Sequence, residues 1–315
     1  GRIFLLTSTC LFATMTSPAG AWAGNLVWAI GFSLQSGSDS AFLYETLKEQ
    51  GDEKKYKHID GDAVGQRFLL IALCSLVAGT VAHYNLRAPI LIGIPFMAIP
   101  LVAAFFMKEP QAQERFSAWR QVNVLKEGVH LMLQSVNIRW MIGFAAIIAT
   151  TGKVWFFTYN PYFTLVGLDI MYQGTVFFCL NVMAWLSSKY TPQIEHHLGE
   201  ERCIIGLIGC TSIPVLLMAL VPIQPSSFLV LVQNFARGFM RPFIGDYMNR
   251  HITNSVRATI LSMQSTIANG TAIVGLGAFG LLMGHVTLLT ALLVLGLTSL
   301  TLGTVSYLWY KLRIV

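Results

Sequence analysis

Residues 257–311 read RATILSMQSTIANGTAIVGLGAFGLLMGHVTLLTALLVLGLTSLTLGTVSYLWYK, and no formally charged residue lies between the Arg257 and Lys311 ends. A segment of this length accommodates two helical passes of about 20 residues each across a hydrocarbon layer about 30 Å thick. Gly284 and His285 supply a turn between the two passes. This part of the sequence therefore predicts two helices that cross a membrane.

Uncharged tracts recur along the chain, which is 54% hydrophobic and only 11% charged. Soluble domains carry about 25% charged residues, so most of this chain is expected to lie in lipid. We predict an all-α polytopic membrane protein, because an unpaired strand in lipid leaves backbone groups without partners. The ten predicted spans are residues 3–16, 21–47, 63–84, 88–107, 138–158, 169–187, 203–221, 227–247, 258–282 and 287–309.

The basic residues predict the orientation of these spans. The formal net charge is +6, but Lys and Arg are spread among short loops, so no nucleic-acid partner is expected. Nearly all loop Lys and Arg residues lie on the side of Gly1, whereas Arg87 stands alone on the opposite side. By the positive-inside rule, both termini are predicted to be cytoplasmic.

Three motif-like features do not predict a cofactor, a metal site or a disulfide. The five cysteines show no C-x-x-C spacing. Glu195-His196-His197 lies in a predicted cytoplasmic loop without a third ligand at a suitable spacing, which favours a solvated loop over a metal site. Residues 275–280 match G-x-G-x-x-G, but no strand precedes them, so a nucleotide site is not expected.

The longest polar connection divides the predicted spans into four before it and six after it. Residues 1–107 are predicted to form an N-terminal bundle, residues 108–137 a cytoplasmic linker, and residues 138–315 a C-terminal bundle of six helices. Apolar residues in the linker recur at near-helical spacing between Phe116 and Leu133. This pattern predicts an amphipathic helix, either on the membrane surface or as an ordinary solvated linker helix.

Several short stretches occur in an order that resembles a known family. The chain is similar to the major facilitator superfamily of secondary transporters, in its bacterial branch, over its whole length. Gly1-Arg2 resembles the end of the G-x-x-x-D-R-x-G-R loop that follows the second helix of that fold. The other matching stretches are residues 35–41, 108–110, 160–163 with Gly167, Arg237-Gly238 with Pro242, and 257–262.

The resemblance implies a two-bundle fold of twelve helices, of which about ten are present and the first two are missing. Two positions depart from common patterns of the family. Phe32 replaces the arginine often found in the fourth helix, and G-P-x-x-G-G is absent around Gly79. Drug-proton antiport is therefore a less secure expectation than transport itself.

Charged residues inside spans are the first candidates for a binding site, because a charge at mid-bilayer costs about 2.5–3.5 kcal/mol or more and usually faces a cavity. Arg237 and Arg241 lie one turn apart, and either contact an anionic solute or form ion pairs between helices. Lys153 lies among aromatic residues and either serves the same site or extends to the membrane surface. The predicted substrate-binding residues are Arg237, Arg241, Lys153, Asn160, Gln35 and Trp155.

Asp39 is the one acid predicted to lie well inside a span, and we expect it to carry the coupled proton. The alternative for Asp39 is a fixed salt bridge to a nearby arginine. Family resemblance also implies a gate of charged residues near the cytoplasmic ends of the helices, either made and broken during transport or simply interfacial. The predicted gate residues are Arg2, Glu45, Arg67 and Asp246.

The predicted function is secondary active transport of a small organic solute by alternating access, with proton coupling and export, by a monomer in the bacterial plasma (inner) membrane. The alternatives are an uptake symporter for an anionic metabolite and a non-transporting sensor or scaffold. An enzyme is not expected, because the sequence holds no convincing acid cluster, histidine array or nucleophile motif.

Overall fold

The computed structural model describes residues 1–35, 38–52, 55–107, 126, 129–251 and 257–313, and every regular element in these ranges is helical. Most of the predicted linker helix lies outside the described residues. The helices are α1 (Arg2–Thr14), α2 (Pro18–Gln35), α3 (Ser38–Glu49), α4 (Tyr56–Tyr84), α5 (Ala88–Phe106), α6 (Val136–Leu165), α7 (Ile170–Leu198), α8 (Glu200–Leu220), a 3-10 helix (Gln224–Leu229), α9 (Val230–His251), α10 (Arg257–Met283) and α11 (Leu288–Arg313).

Six helices in the described part of the chain are long and apolar enough to cross a membrane. They lie at Ala88–Phe106, Val136–Leu165, Ile170–Leu198, Glu200–Leu220, Thr259–Met283 and Leu288–Arg313. Arg2–Thr14 and Leu69–Tyr84 are apolar but shorter. The predicted count of ten spans is therefore not confirmed, but six helices of this length and apolarity support a multi-pass membrane protein.

Two predicted boundaries are wrong for one physical reason: helices continue through polar residues that were expected to be loops. Helix α7 extends through Glu195-His196-His197 to Leu198 and ends where Gly199 adopts φ 79°. A left-handed glycine is a common helix end, since it has no Cβ to clash. Helix α6 likewise runs past the predicted end at residue 158 to Leu165, and Gly167 follows with φ 73°.

The chain divides into two compact units, Gly1–Arg115 with Ile170–Gly174, and Phe116–Asp169 with Thr175–Val315. The N-terminal unit packs α1 and α2 through small residues. A Cβ added at Gly24 would lie 2.8 Å from the Phe12 ring, and the buried Ser8 hydroxyl donates to the Gly24 carbonyl at 2.8 Å. Close backbone approach of this kind supplies the packing energy between membrane helices.

The C-terminal unit has a core of large buried side chains. Phe144, Trp140 and Tyr247 belong to one apolar cluster near the start of α6, and Tyr162 and Met218 to a second near its end. Glycines bring the helices together around these clusters: a Cβ at Gly238 of α9 would lie 2.2 Å from the Ala184 carbonyl oxygen of α7. The C-terminal unit also carries Tyr159, Gln233, Asn234 and Arg237.

Candidate functional site

A chain of buried hydrogen bonds joins α6 to α9 in the interior of the C-terminal unit. The Tyr159 hydroxyl donates to Gln233 Oε1 and accepts from Asn234 Nδ2 at 3.0 Å. Asn234 Oδ1 in turn accepts from Arg237 Nη1 at 3.3 Å. Tyr159, Gln233 and Asn234 are almost fully buried. We call Tyr159, Gln233, Asn234 and Arg237 the mid-helix cluster.

A glycine allows this cluster to form. A Cβ added at Gly152 would lie 2.8 Å from Gln233 Nε2, closer than real Cβ atoms approach other heavy atoms. The amide of Gln233 therefore packs directly against the bare backbone of α6. Because the Tyr159 hydroxyl, Gln233 Oε1 and Asn234 Nδ2 are hydrogen-bonded to one another, these buried groups offset part of the cost of leaving water.

Arg237 is the accessible end of the mid-helix cluster. Its side chain is exposed, and its Cζ atom lies 5.6 Å from the centroid of the Phe156 ring, within the range of a cation–π contact. Arg237 stands about 10 Å along α9 from Val230 at 1.5 Å per residue, well inside the helix. Asn234 and Phe156 therefore fix the direction in which this guanidinium points.

Lys153 lies one turn before Phe156 on α6 and has a neutral partner. Its ammonium group donates to Asn269 Oδ1 of α10. Next to this contact, the hydroxyls of Thr150 and Thr271 are hydrogen-bonded at 3.0 Å, so two polar pairs join α6 and α10. The structure thus places two of the predicted cations, Lys153 and Arg237, beside neutral amide partners in the C-terminal unit.

The electrostatic balance of this region is positive. Within the part of the chain that the structure describes, no carboxylate pairs with Arg237, Arg241 or Lys153. An exposed arginine inside a membrane helix is costly unless it meets water, a ligand or an anion. Among the described residues, this face of α6 and α9 therefore carries positive charge without a carboxylate counterion.

A second polar cluster lies where α7 and α8 meet the end of α9. Arg250 Nε donates to Asp246 Oδ2 at 2.8 Å, Arg250 also pairs with Glu195, and its Nη1 lies 3.6 Å from Glu200 Oε2. We call Glu195, Glu200, Asp246 and Arg250 the helix-end cluster. The Tyr310 hydroxyl of α11 donates to Glu200 Oε1 at 2.8 Å, which joins a fourth helix to this cluster.

The helix-end cluster borders an open cavity of about 820 Å³. Thr191, His196 and Pro242 also line it. The cluster's single cation is surrounded by three carboxylates, so its hydrogen-bonding capacity is used within the protein. Its chemistry is that of a tie between helices.

The other predicted substrate contacts have different surroundings. Arg241 is exposed one turn beyond Arg237, and Asn160 is exposed one turn beyond Phe156. Trp155 is fully buried at 0% exposure and packs edge-on against Tyr159, so the indole supports the mid-helix cluster from behind and presents no surface to a solute. Gln35 ends α2 in the other unit.

The predicted proton carrier and gate residues are described only in part. Asp39 and Glu45 fall on α3, but their side chains lie outside the described residues. Arg2 begins α1, and Arg67 is exposed on α4. Asp246 pairs with Arg250 of the same helix.

Sequence reasoning missed most of the neutral members of the site. Gln233, Asn234 and Asn269 were not singled out, nor was Arg250 with its acidic partners. A signal was present for the first group: Gln233, Asn234 and Arg237 lie within about one turn of a predicted span. Polar side chains inside a membrane helix usually face a cavity or one another, so three so close together indicate a common site.

Some proteins of known structure share the fold of this chain. No protein-family description matches the chain, and no curated protein matches it significantly. Solved structures do match: the crystal structure of nucleoside transporter NupG, as a D323A mutant, aligns with a TM-score of 0.71 at 13% identity, over 100% of this chain and 82% of that one. The chain therefore shares the fold of this nucleoside transporter.

A second match agrees with the first. A bacterial homologue of the human lysosomal transporter Spinster, in an inward-facing and unoccupied conformation, aligns with a TM-score of 0.61 at 13% identity, over 99% of this chain and 79% of that one. The resemblance seen in the sequence is thus confirmed at the level of the fold. Both matched structures are of transporters.

Proposed function

We propose that this chain is a secondary active transporter that moves a small organic solute across a membrane by alternating access. The observation that carries the proposal is Arg237: an accessible guanidinium in the interior of a helix, oriented by buried neutral groups and without a carboxylate partner among the described residues. Such a group is costly in lipid and useful in a water-filled binding cavity. The transporter fold of the matched structures supports the same proposal.

The proposal includes the finer expectations from the sequence. Ten spans form two bundles joined by the linker at residues 108–137, in the bacterial inner membrane with both termini cytoplasmic. Asp39 carries the coupled proton, and Arg2, Glu45, Arg67 and Asp246 close the cytoplasmic side. The transporter acts as a monomer, and protons entering the cell drive export.

The charge of the site supports an alternative solute for the transporter. Arg237 and Lys153 contact neutral amides rather than acids, which favours an anionic solute. An uptake symporter for an anionic metabolite is therefore the alternative that a specific observation supports. The matched nucleoside transporter adds nucleosides to the solutes that should be tested.

The deciding experiment is solute-driven proton movement in sealed proteoliposomes that contain the full chain. An internal pH dye is read after addition of nucleosides, aromatic acids or aliphatic acids, with and without an uncoupler. We expect at least one solute to change the internal pH, and the sign of the change to report whether solute and proton move together. Absence of gradient-driven movement for every solute would contradict transport and favour the hypothesis of a non-transporting sensor or scaffold.

The matched variants for this assay are Arg237→Gln and Arg139→Gln. Both remove one exposed arginine from the C-terminal unit, but Arg139 lies about 26 Å along α6 from Phe156, at 1.5 Å per residue. Loss of movement with Arg237→Gln and normal movement with Arg139→Gln would support the site. Equal activity of both variants would remove Arg237 from the binding machinery.

A further inference from the structure

The accessible side of the mid-helix cluster is aromatic as well as cationic. Phe156 is 40% exposed and Phe157 66% exposed, and their rings meet edge to face at 6.0 Å. The Phe156 ring also meets Tyr159 and the half-buried Phe177 at steep angles, which fixes its plane. A rigid ring with an accessible part offers a planar solute a stacking or edge contact.

The guanidinium beside this ring retains most of its hydrogen-bonding capacity. A guanidinium has five N–H donors in one plane, and among the described residues Arg237 donates to Asn234 alone. The cation–π contact with Phe156 and the bond to Asn234 restrict its rotation, so the remaining donors keep a preferred direction. A planar fork of this kind matches the geometry of a carboxylate, which accepts two parallel bonds.

The groups around the fork select for negative charge. Asn234, Gln233 and Tyr159 are neutral, and the neighbouring Lys153 adds a second positive charge held by the neutral Asn269. An anion arriving here would meet no described carboxylate on α6, α9 or α10 at the site. A small solute that carries both a planar ring and a carboxylate would therefore contact the phenylalanine rings and the guanidinium at the same time.

We propose that this site recognises a small aromatic carboxylate, whose ring lies against Phe156 and Phe157 and whose carboxylate accepts hydrogen bonds from Arg237. The proposal rests on the transport function proposed above, because it names the class of solute that the same site takes. Phe156 contacts the aromatic ring of the solute, and Arg237 binds its negative charge.

The test is equilibrium binding to the purified full chain in detergent, by calorimetry, with three probes of similar size. Benzoate has both the ring and the charge, cyclohexanecarboxylate has the charge with a saturated ring, and benzamide has the ring without the charge. We expect benzoate to bind at least about tenfold more tightly than either of the others. Equal binding of benzoate and cyclohexanecarboxylate, or no binding of benzoate, would overturn the proposal.

Two variants assign the two contributions to residues. Phe156→Leu should abolish the preference for benzoate over cyclohexanecarboxylate and keep the preference over benzamide. Arg237→Gln should do the reverse. Phe105→Leu and Arg139→Gln, which change an exposed ring and an exposed cation elsewhere, should leave all three affinities unchanged. If both site variants weakened all three probes equally while remaining folded, the separate roles would be wrong.

Binding and flux together distinguish the two proposals. Failure of benzoate to bind, with gradient-driven movement of another solute in proteoliposomes, would overturn the aromatic carboxylate and leave the transporter intact. Tight and selective benzoate binding without movement of any solute would support this site and contradict transport.

Discussion

Helix α9 carries two arginines that differ in their neighbours, and the difference separates binding from structure. Arg237 in the mid-helix cluster is held by neutral groups, Asn234 and the Phe156 ring. Arg250, about 20 Å further along the helix, is surrounded by Glu195, Glu200 and Asp246. One cation is oriented and left with free donors, whereas the other is neutralised.

The comparison teaches that residue type alone does not assign a role to a charge in a membrane helix. The carboxylates around Arg250 compensate its charge and tie α7, α8 and α9 together, so its removal should mainly affect stability. The neutral groups around Arg237 orient the guanidinium but do not neutralise its charge. Removal of Arg237 should therefore mainly affect binding.

The largest effect is expected from Gly238→Ala, which displaces the helix that carries both clusters. The new Cβ would lie 2.2 Å from Ala184 O and 2.2 Å from Ser187 Oγ, both on α7. Since backbone cannot yield as a flexible side chain does, we expect a loss of about 3 kcal/mol in the free energy of unfolding. The measurement is thermal unfolding of the purified protein in detergent, together with benzoate binding.

Gly277→Ala is the control for this prediction. Gly277 lies within α10, and nothing lies within 4 Å of the position its Cβ would take. Because alanine is favoured over glycine inside a helix by about 0.5–1 kcal/mol, the melting temperature should stay equal or rise. Equal melting temperatures for the two variants would show that α9 does not depend on close approach to α7.

An intermediate effect is expected from Tyr159→Phe. Removing the hydroxyl takes one partner from the buried Gln233 and one from the buried Asn234, although these two amides remain in contact at 3.2 Å. We expect a loss of about 1–2 kcal/mol in stability, because buried polar groups lose a hydrogen bond. Benzoate affinity should also fall, since Asn234 orients Arg237.

Tyr162→Phe is matched to this change in chemistry and burial. Its hydroxyl bonds to the Met218 carbonyl at 3.0 Å and to Ser226, with no described link to Arg237. Thermal unfolding should show a loss of stability similar to that of Tyr159→Phe, while benzoate affinity stays unchanged. A fall in affinity for both variants would show that the unit responds to any loss of core hydrogen bonding.

The apolar helices were readily predicted from the sequence, whereas α9 was predicted less well. Helices such as α11 are long apolar runs, so their existence follows from the cost of exposing backbone to lipid. Helix α9 carries Gln233, Asn234, Arg237 and Arg241, and it is not among the six described helices that qualify as spans by length and apolarity. Its polarity is tolerated because packing in the C-terminal unit buries Gln233 and Asn234.

The site was predicted only through its charges. Arg237 and Lys153 stand out in any search for ions in spans, but their partners are amides and hydroxyls, which are common in every helix. Which of these meet depends on the contacts between α6, α9 and α10, and spacing along one helix does not contain that information. Trp155 was predicted to contact the solute because it lies close to Lys153 in the sequence, but its side chain is buried in the core.

The smallest change in stability is expected from the helix-end cluster, and it should not alter binding. Arg250→Gln leaves Glu195, Glu200 and Asp246 without their shared cation, but these groups are partly exposed and screened by solvent. We expect a loss of about 1 kcal/mol in stability, because exposed ion pairs contribute about 0.2–1 kcal/mol each. The difference from the unmodified protein should shrink at high salt.

The double variant Arg250→Gln with Asp246→Asn makes this prediction specific to charge. Neutralising one carboxylate relieves repulsion among the remaining acids, so the double variant should recover part of the melting temperature lost by Arg250→Gln. Benzoate affinity should match that of the unmodified protein in both variants, since Asp246 lies about 14 Å and Arg250 about 20 Å along α9 from Arg237. A change in affinity equal to that of Arg237→Gln would mean that the two arginines act on one site, and their separation by neighbouring groups would fail.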